Sequence, residues 1–143
     1  MNYEQAQKLM IQKSADALSV SGHIFVDYAY TLEPEKWFRN PDANIIWEGT
    51  DSYGNFGKMA LLDNTYDTEN RIARSIRRFD MILADGSTFV QEIPSEKHFV
   101  TLEQIHKWLD EAGFVIEQEC GDYQGNPISE RTNRVIIWAR KAG

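Results

Sequence analysis

Apolar residues in the first twenty positions recur at spacings of three and four. Tyr3, Ala6, Leu9, Met10, Ala17 and Leu18 fall on one side, with Lys8, Gln12, Lys13 and Asp16 largely opposite. That spacing predicts a helix over 2–20. Ser21-Gly22 is the expected stop, because glycine accepts the left-handed conformation that closes a helix. The pattern then changes. From His23 to Tyr30 the chain is almost continuously apolar and rich in β-formers, with Asp27 near the end. Such a run predicts a strand covered on both faces, as in parallel or mixed sheets.

Beyond it, Pro34 to Asn40 suits a short helical turn, with Pro34 at an early helical position. Asn40-Pro41-Asp42 signals a turn. Short strands are expected at 45–49 and 58–66. The polar stretch 50–57, with Gly54 and Gly57, reads as a loop, and Asp67-Thr68-Glu69-Asn70 as a turn. Residues 71–84 support two readings. Ile72, Ile76, Phe79 and Leu83 repeat at helical spacing, with Thr68 as a cap and Gly86 as a stop. A strand there requires a change of face near Arg77, which a β-bulge supplies. Asp85-Gly86 suggests a tight hairpin into a strand at 88–93.

The last third is clearer. Thr101-Leu102-Glu103-Gln104 fits a capping box, with the Thr101 hydroxyl and the Gln104 amide satisfying each other's backbone donors. Ile105, Trp108, Leu109 and Ala112 form an apolar stripe ending at Gly113. Strands are expected at 114–119 and 135–139, separated by the turn-rich loop 121–127. No internal repeat, low-complexity segment or linker interrupts the chain.

At 143 residues the chain is one domain's length, enough to bury roughly two thirds of its unfolded surface. Hydrophobic residues are 42% and charged residues 26%, an ordinary globular balance that argues against disorder. The formal net charge of -7 repels phosphates, so neither nucleic acid nor an anionic membrane is expected as a partner. Cys120 is the single cysteine, which excludes an internal disulfide and a Cys/His zinc cluster. No apolar run is long enough to span a bilayer and no signal-peptide pattern opens the chain. The expected location is cytoplasmic.

Most catalytic signatures are absent. There is no G-x-S-x-G elbow and no H-E-x-x-H. Around Gly57-Lys58, Ser52 replaces the first glycine of a phosphate loop and Met59 the magnesium-binding hydroxyl. Asp63, Thr65 and Asp67 begin like a calcium loop, but Thr68 occupies the place of its glycine. Turn chemistry accounts for them better. His23, His98 and His106 have no metal-ligand spacing, and His106 beside Lys107 reads as solvated. Arg71, Arg74, Arg77 and Arg78 are expected to pair with carboxylates. Trp37, Phe38, Trp47, Tyr53 and Phe56 are concentrated after the first strand, as core or as the wall of a cavity. Asp27 and Tyr28 sit where open α/β sheets bind ligands, beyond the carboxyl end of a strand. The alternative for Asp27 is a carboxylate that accepts from local loop amides.

The order of these pieces resembles the C-terminal half of a class I S-adenosylmethionine-dependent methyltransferase. Leu18-Ser19-Val20-Ser21-Gly22-His23-Ile24-Phe25-Val26-Asp27 is similar to the family's helix, glycine turn and fifth strand. Asp85-Gly86 with Glu92 resembles the hairpin before the last helix. Thr101-Leu102-Glu103-Gln104-Ile105 through Leu109, Ala112, Gly113 and Phe114 resembles the threonine-capped helix running into "aGF". Gly121-Asp122-Tyr123-Gln124-Gly125-Asn126-Pro127 with Arg134 to Lys141 resembles the closing "GDYxGxP" loop and terminal strand. The resemblance covers nearly the whole chain. It departs from the family in two ways. The acidic, glycine-rich cofactor loop has no counterpart before Gly22. His98 and Val100 stand where relatives often have an arginine and a tyrosine, so no substrate role passes to that pair.

The resemblance implies an α+β fold as isolated. Strands near 23–30, 114–120 and 134–141 would form the C-terminal portion of a Rossmann-like sheet, with the last strand antiparallel between the other two. It also implies an antiparallel lid and favours the bulged strand over 71–84. The expected organisation is a single domain, 1–143, with a sheet-and-helix part at 1–44 and 101–143 and the insert at 45–100. The implied function is the acceptor side of a methyltransferase acting on a small molecule. The cofactor S-adenosylmethionine would be held by the intact enzyme and not by this chain, which alone would be inactive. Asp27, Tyr28, Trp47, Tyr53 and Tyr123 are the expected substrate-binding residues, with no catalytic base assigned and no metal. The expected partners are a methyl acceptor and either the missing N-terminal half or a second copy, forming a dimer through the exposed edge of strand 23–30. The alternative function is a non-catalytic small-molecule-binding or interaction module of the α+β class.

Overall fold

A computed structural model describes residues 3–37 and 44–143. Phe38, Pro41 and the turn expected at 40–42 lie outside them. The element order is α1 (Tyr3–Ala17), β1 (His23–Ala29), α2 (Pro34–Trp37), β2 (Asn44–Thr50), β3 (Phe56–Asp67), β4 (Ile72–Ile82), β5 (Thr88–His98), α3 (Leu102–Glu111), β6 (Phe114–Cys120) and β7 (Arg134–Lys141). The chain divides into two compact units, Met1–Pro34 with Phe99–Gly143, and Glu35–His98. No described helix is long and apolar enough to cross a membrane.

The first unit holds a three-stranded sheet in the order β1-β7-β6. The terminal strand β7 lies between the other two and runs antiparallel to both. Its centre, Val135, Ile137 and Ala139, is fully buried. These residues share the core with Ile11 and Ala15 of α1 and Ile105, Trp108 and Leu109 of α3. The α3 stripe is the one that the sequence predicts. Its capping box is present on both sides: the Gln104 amide donates to Thr101 Oγ1 and the Thr101 amide to Gln104 Oε1, each at 3.0 Å.

The buried stripe of α1 differs from expectation. Ile11 and Ala15 face the core, joined by Leu18, while Tyr3 and Met10 are exposed. The 11-15-18 stripe also has helical spacing, and contact with α3 selects it. The helix ends at Ala17 rather than Val20. Lys141 Nζ donates to the Ala15 and Leu18 carbonyls at 2.5 and 2.6 Å, which satisfies acceptors left over at a helix C-terminus. The left-handed residue is Ser21, at φ 72°, not Gly22. Gly22 is needed for space instead, since a Cβ there would lie 2.9 Å from the Ser19 carbonyl oxygen.

β1 is not covered on both faces. Its burial alternates, with Ile24, Val26 and Tyr28 half-buried against the core and His23, Phe25 and Asp27 exposed. Both helices of the core lie on one side of the sheet, so among the described residues of this unit no helix covers the face of β1 that carries Phe25.

The second unit is a four-stranded antiparallel sheet in the order β2-β3-β4-β5. Residues 72–82 are strand, against their local periodicity. The expected bulge near Arg77 is absent, because β4 pairs with β5 without a break from Ile72 to Ile82. The irregularity is in β3, between Leu62 and Thr65, where Asp63 adopts φ 52°. No change of face is needed in β4, since residues of both parities there are half-buried. The β4–β5 connection spans 83–87 with Gly86 at φ 84°, longer than a two-residue hairpin. Two of the four arginines expected to pair with carboxylates are seen to do so: Arg74 with Glu96 at 3.1 Å, and Arg78 with Asp80 at 3.1 Å and Glu92 at 3.6 Å.

Candidate functional site

Two strand ends and one loop converge in the first unit. Asp27 stands near the carboxyl end of β1, opposite Ile136 of β7, and Arg134 opens β7 opposite Ala29. The β6–β7 loop brings Tyr123 to the same place. Asp122 shapes that loop by accepting from the Gln124 and Asn126 amides at 2.9 and 3.0 Å, and from the Asn126 side chain at 2.8 Å. These bonds hold the Asp122 carboxyl below its ordinary range. Gly125 takes φ 83° in the turn. Gly121 is required by close approach, as a Cβ there would lie 2.7 Å from Thr132 Oγ1.

The result is a three-residue cluster. The Tyr123 hydroxyl donates to Asp27 Oδ2 at 2.5 Å. Arg134 Nη1 donates to both carboxylate oxygens of Asp27 at 3.0 Å and also contacts the Tyr123 hydroxyl. The guanidinium carbon lies 4.5 Å from the centre of the Tyr123 ring, a cation–π distance. The hydrogen bond to Asp27 pushes the Tyr123 phenol upward. The carboxylate is therefore oriented and accessible at a strand end. It can accept a proton or hydrogen bond from a ligand ammonium or hydroxyl group.

Tyr28, the next residue, points the other way. Its ring meets Tyr30 edge-on at 6.1 Å. Its hydroxyl is buried without a hydrogen-bond partner among the described residues. Burial, followed by Tyr30 and Glu119, raises its phenol well above the ordinary value. Trp47 and Tyr53 belong to the second unit. Trp47 is half-exposed on β2, and its ring lies over Gly57, where a Cβ would come within 3.0 Å. Tyr53 is 82% exposed at the β2–β3 hairpin, whose turn is held by Asp51 accepting from the Tyr53 and Asn55 amides. The five sequence candidates thus separate into the Asp27–Tyr123 pair, the inward-facing Tyr28, and two aromatics of the other unit. Sequence reasoning missed Arg134, because nothing local links it to a carboxylate 107 positions away.

The exposed side of the three-stranded sheet carries a cavity of about 370 Å³, lined by Phe25, Gln118, Cys120, Tyr123, Ile136 and Trp138 among others. Trp138 stacks on His23 at 4.9 Å and meets Phe25 edge-on at 6.1 Å. His106 is not freely solvated as the sequence suggests; it pairs with Glu119 of β6. No metal-binding cluster occurs among the described residues. Asp67 accepts from the Glu69 and Asn70 amides, which is turn chemistry.

No family model matches the chain, and no curated protein matches it. Solved structures do match its fold. A S-adenosylmethionine-dependent methyltransferase from Clostridium acetobutylicum ATCC 824 superposes with a TM-score of 0.72 at 15% identity, over 98% of this chain and 52% of that one. CalS10, an amino pentose methyltransferase from Micromonospora echinaspora, gives 0.72 at 12% identity, over 99% and 53%. The sugar N-methyltransferase KedS8 from Streptoalloteichus sp ATCC 53650 gives 0.70 at 13% identity, over 98% and 50%. The chain has the fold of part of these methyltransferases and spans about half their length.

Proposed function

We propose that this chain forms the acceptor side of a S-adenosylmethionine-dependent methyltransferase acting on a small molecule, as the C-terminal portion of the sheet with an antiparallel lid. The observation that carries the reading is the β1-β7-β6 sheet with its central strand reversed, which superposes on methyltransferases over nearly the whole chain. The residues present do not fit the cofactor itself. The glycines at positive φ lie in two hairpin turns, at the exit of α3 and in the β6–β7 loop. None opens a helix after a strand, the arrangement that receives a nucleotide. The cofactor would supply an activated methyl group from elsewhere.

This chain's residues then bind and orient the acceptor, which is the main demand when the donor is already activated. Asp27 accepts from an amine or hydroxyl of the acceptor, and Tyr123 and Arg134 fix the carboxylate. Tyr28, Trp47 and Tyr53 are the further candidates for pocket walls. Two of the matched structures are an amino pentose and a sugar N-methyltransferase, so amino sugars are the first acceptors to test. Titration followed by amide chemical shifts should move Asp27, Tyr123 and Arg134, while S-adenosylmethionine alone moves nothing. Amino sugars and other small amines and alcohols that leave all three unmoved would defeat the reading, as would tight cofactor binding. A second reading, a non-catalytic binding module, draws on the cavity beside Phe25 and Trp138. It requires shifts centred on Cys120 and Ile136 instead.

A further inference from the structure

We propose that one face of the four-stranded sheet carries a binding site for a small, doubly charged oxyanion, built from Ser75 and Ser95 at its centre with Arg77 and Lys97 on either side. All four residues belong to the second unit, so the site stands or falls independently of the acceptor reading above.

The strand register assembles this group. Directly paired residues project from the same face of a sheet, and residues two apart along a strand share that face. Ser75 of β4 stands opposite Ser95 of β5. On one side of that pair Arg77 stands opposite Ile93, and on the other Lys97 stands opposite Ala73. Each cation is thus the diagonal neighbour of a serine on the adjacent strand, at a separation of roughly 7–8 Å that a long side chain spans. Charge is sorted between the two faces. Glu48, Asp67, Asp80, Glu92 and Glu96 hold ladder positions on the opposite face, where Arg74 and Arg78 meet their carboxylates. On the face of Arg77 and Lys97, no Asp or Glu holds a paired ladder position among the described residues. Glu35 acts at this end of the face, but on Tyr66, which flanks Ala73 from β3. Burial, followed by the Arg77 charge, holds the Lys97 ammonium below its ordinary range, so the two cations oppose each other in one environment. A bound dianion removes that opposition.

The serines are the second sign. Strand interiors favour β-branched and aromatic residues, yet both members of this half-buried pair are serine. Departures from local preference are expected where a site makes its own demands. A hydroxyl donates to an oxyanion, and a short side chain leaves room for one between two long cations. The arginine fork matches a phosphate or carboxylate group with two parallel bonds, and the lysine adds a point charge. The net charge of -7 and the acidic opposite face disfavour an extended polyanion, which leaves a small molecule bearing a phosphate or two carboxylates.

The test titrates the full 143-residue chain with inorganic phosphate, and separately with succinate and with acetate, at constant ionic strength. Amide and side-chain shifts are followed by nuclear magnetic resonance. Phosphate or succinate should move Ser75, Ser95, Arg77 and Lys97 together and to saturation, while the side-chain signals of Arg74 and Arg78 stay still. The tighter of the two probes tells a phosphate-bearing ligand from a dicarboxylate. Arg77→Gln and Lys97→Gln should each weaken binding about tenfold, the loss of one charge-assisted hydrogen bond. Lys97→Arg keeps the charge and should retain binding, and Arg78→Gln, on the opposite face, should leave it unchanged. Circular dichroism of each variant that matches the unsubstituted chain shows that it is folded. Shifts that never saturate, or that spread equally to Arg74 and Arg78, overturn the proposal. So does binding that survives the double variant Arg77→Gln with Lys97→Gln. Acetate bound as tightly as phosphate and succinate also overturns it, because two opposed cations must prefer two charges.

Discussion

At the scale of single residues, two tyrosines distinguish a ligand-facing group from a buried one. The Tyr123 hydroxyl is spent on Asp27, so Tyr123→Phe should leave the fold unchanged and loosen the carboxylate. On the proposed reading, acceptor affinity then falls by roughly tenfold, the cost of one charge-assisted hydrogen bond. Titration calorimetry reads this directly, and unchanged affinity would count against Asp27 as the acceptor's anchor. Tyr28 behaves oppositely. Its hydroxyl is buried and has no hydrogen-bond partner among the described residues, a costly state. Its phenol is raised by burial, so the folded chain retains that proton to higher pH than the unfolded chain does. Stability from this source is intact below the ordinary tyrosine value of about 10 and is lost as the pH rises above it. Tyr28→Phe should therefore leave neutral-pH stability equal or improved and move alkaline unfolding to higher pH, as followed by circular dichroism. Asp27 and Tyr123 were legible in the sequence as a strand-end carboxylate and a loop aromatic. Arg134 was not, because only the β1–β7 register places it beside Asp27.

At the scale of elements, local chemistry was legible where it was self-contained. The α3 capping box needs four consecutive residues, and all its bonds form. Thr101→Ala should cost about 1 kcal/mol in chemical denaturation. The cap on α1 is not local. Lys141, from the last strand, donates to the Ala15 and Leu18 carbonyls across more than a hundred positions. Lys141→Met keeps much of the stem's packing and removes the charge from a helix C-terminus, an expected loss of about 1 kcal/mol. A loss indistinguishable from zero would show that water satisfies those carbonyls equally well. The strand at 72–82 was legible through the family resemblance alone and not from its local periodicity, for the same reason that the Lys141 cap was hidden. Ile72, Ile76, Phe79 and Leu83 carry helical spacing, and only the ladders to β3 and β5 override it. The β6–β7 loop illustrates the pH consequence of local order. Bonding to Asn126 and Gln124 lowers the Asp122 carboxyl, so its stabilising effect is present at neutral pH and is lost as pH falls through the lowered value. Amide shifts of Gln124 and Asn126 should move in acid below the ordinary carboxylate range, and Asp122→Asn should abolish that titration.

At the scale of the whole chain, stability is divided unevenly between the two units. The first concentrates its apolar burial: Ile11, Leu109, Val135 and Ile137 are the largest side chains with almost no exposure, and all four lie in one core. The second unit buries Ala60 and Ala73, while Phe89, Val90 and Ile93 of β5 remain exposed. A buried leucine or isoleucine contributes on the order of 2 kcal/mol from area alone, and an alanine much less. Backbone ladders in the second unit therefore rest on less apolar burial than those around β7. Local opening follows that difference, since segments with few buried apolar contacts open at a fraction of the global unfolding free energy. Amide exchange of the isolated chain should rank β7 and α3 slowest and β5 fastest, with β5 exchanging at least a hundredfold faster than β7. Equal rates would mean that the chain unfolds as one cooperative body, and the contrast in side-chain burial would then carry no energetic weight.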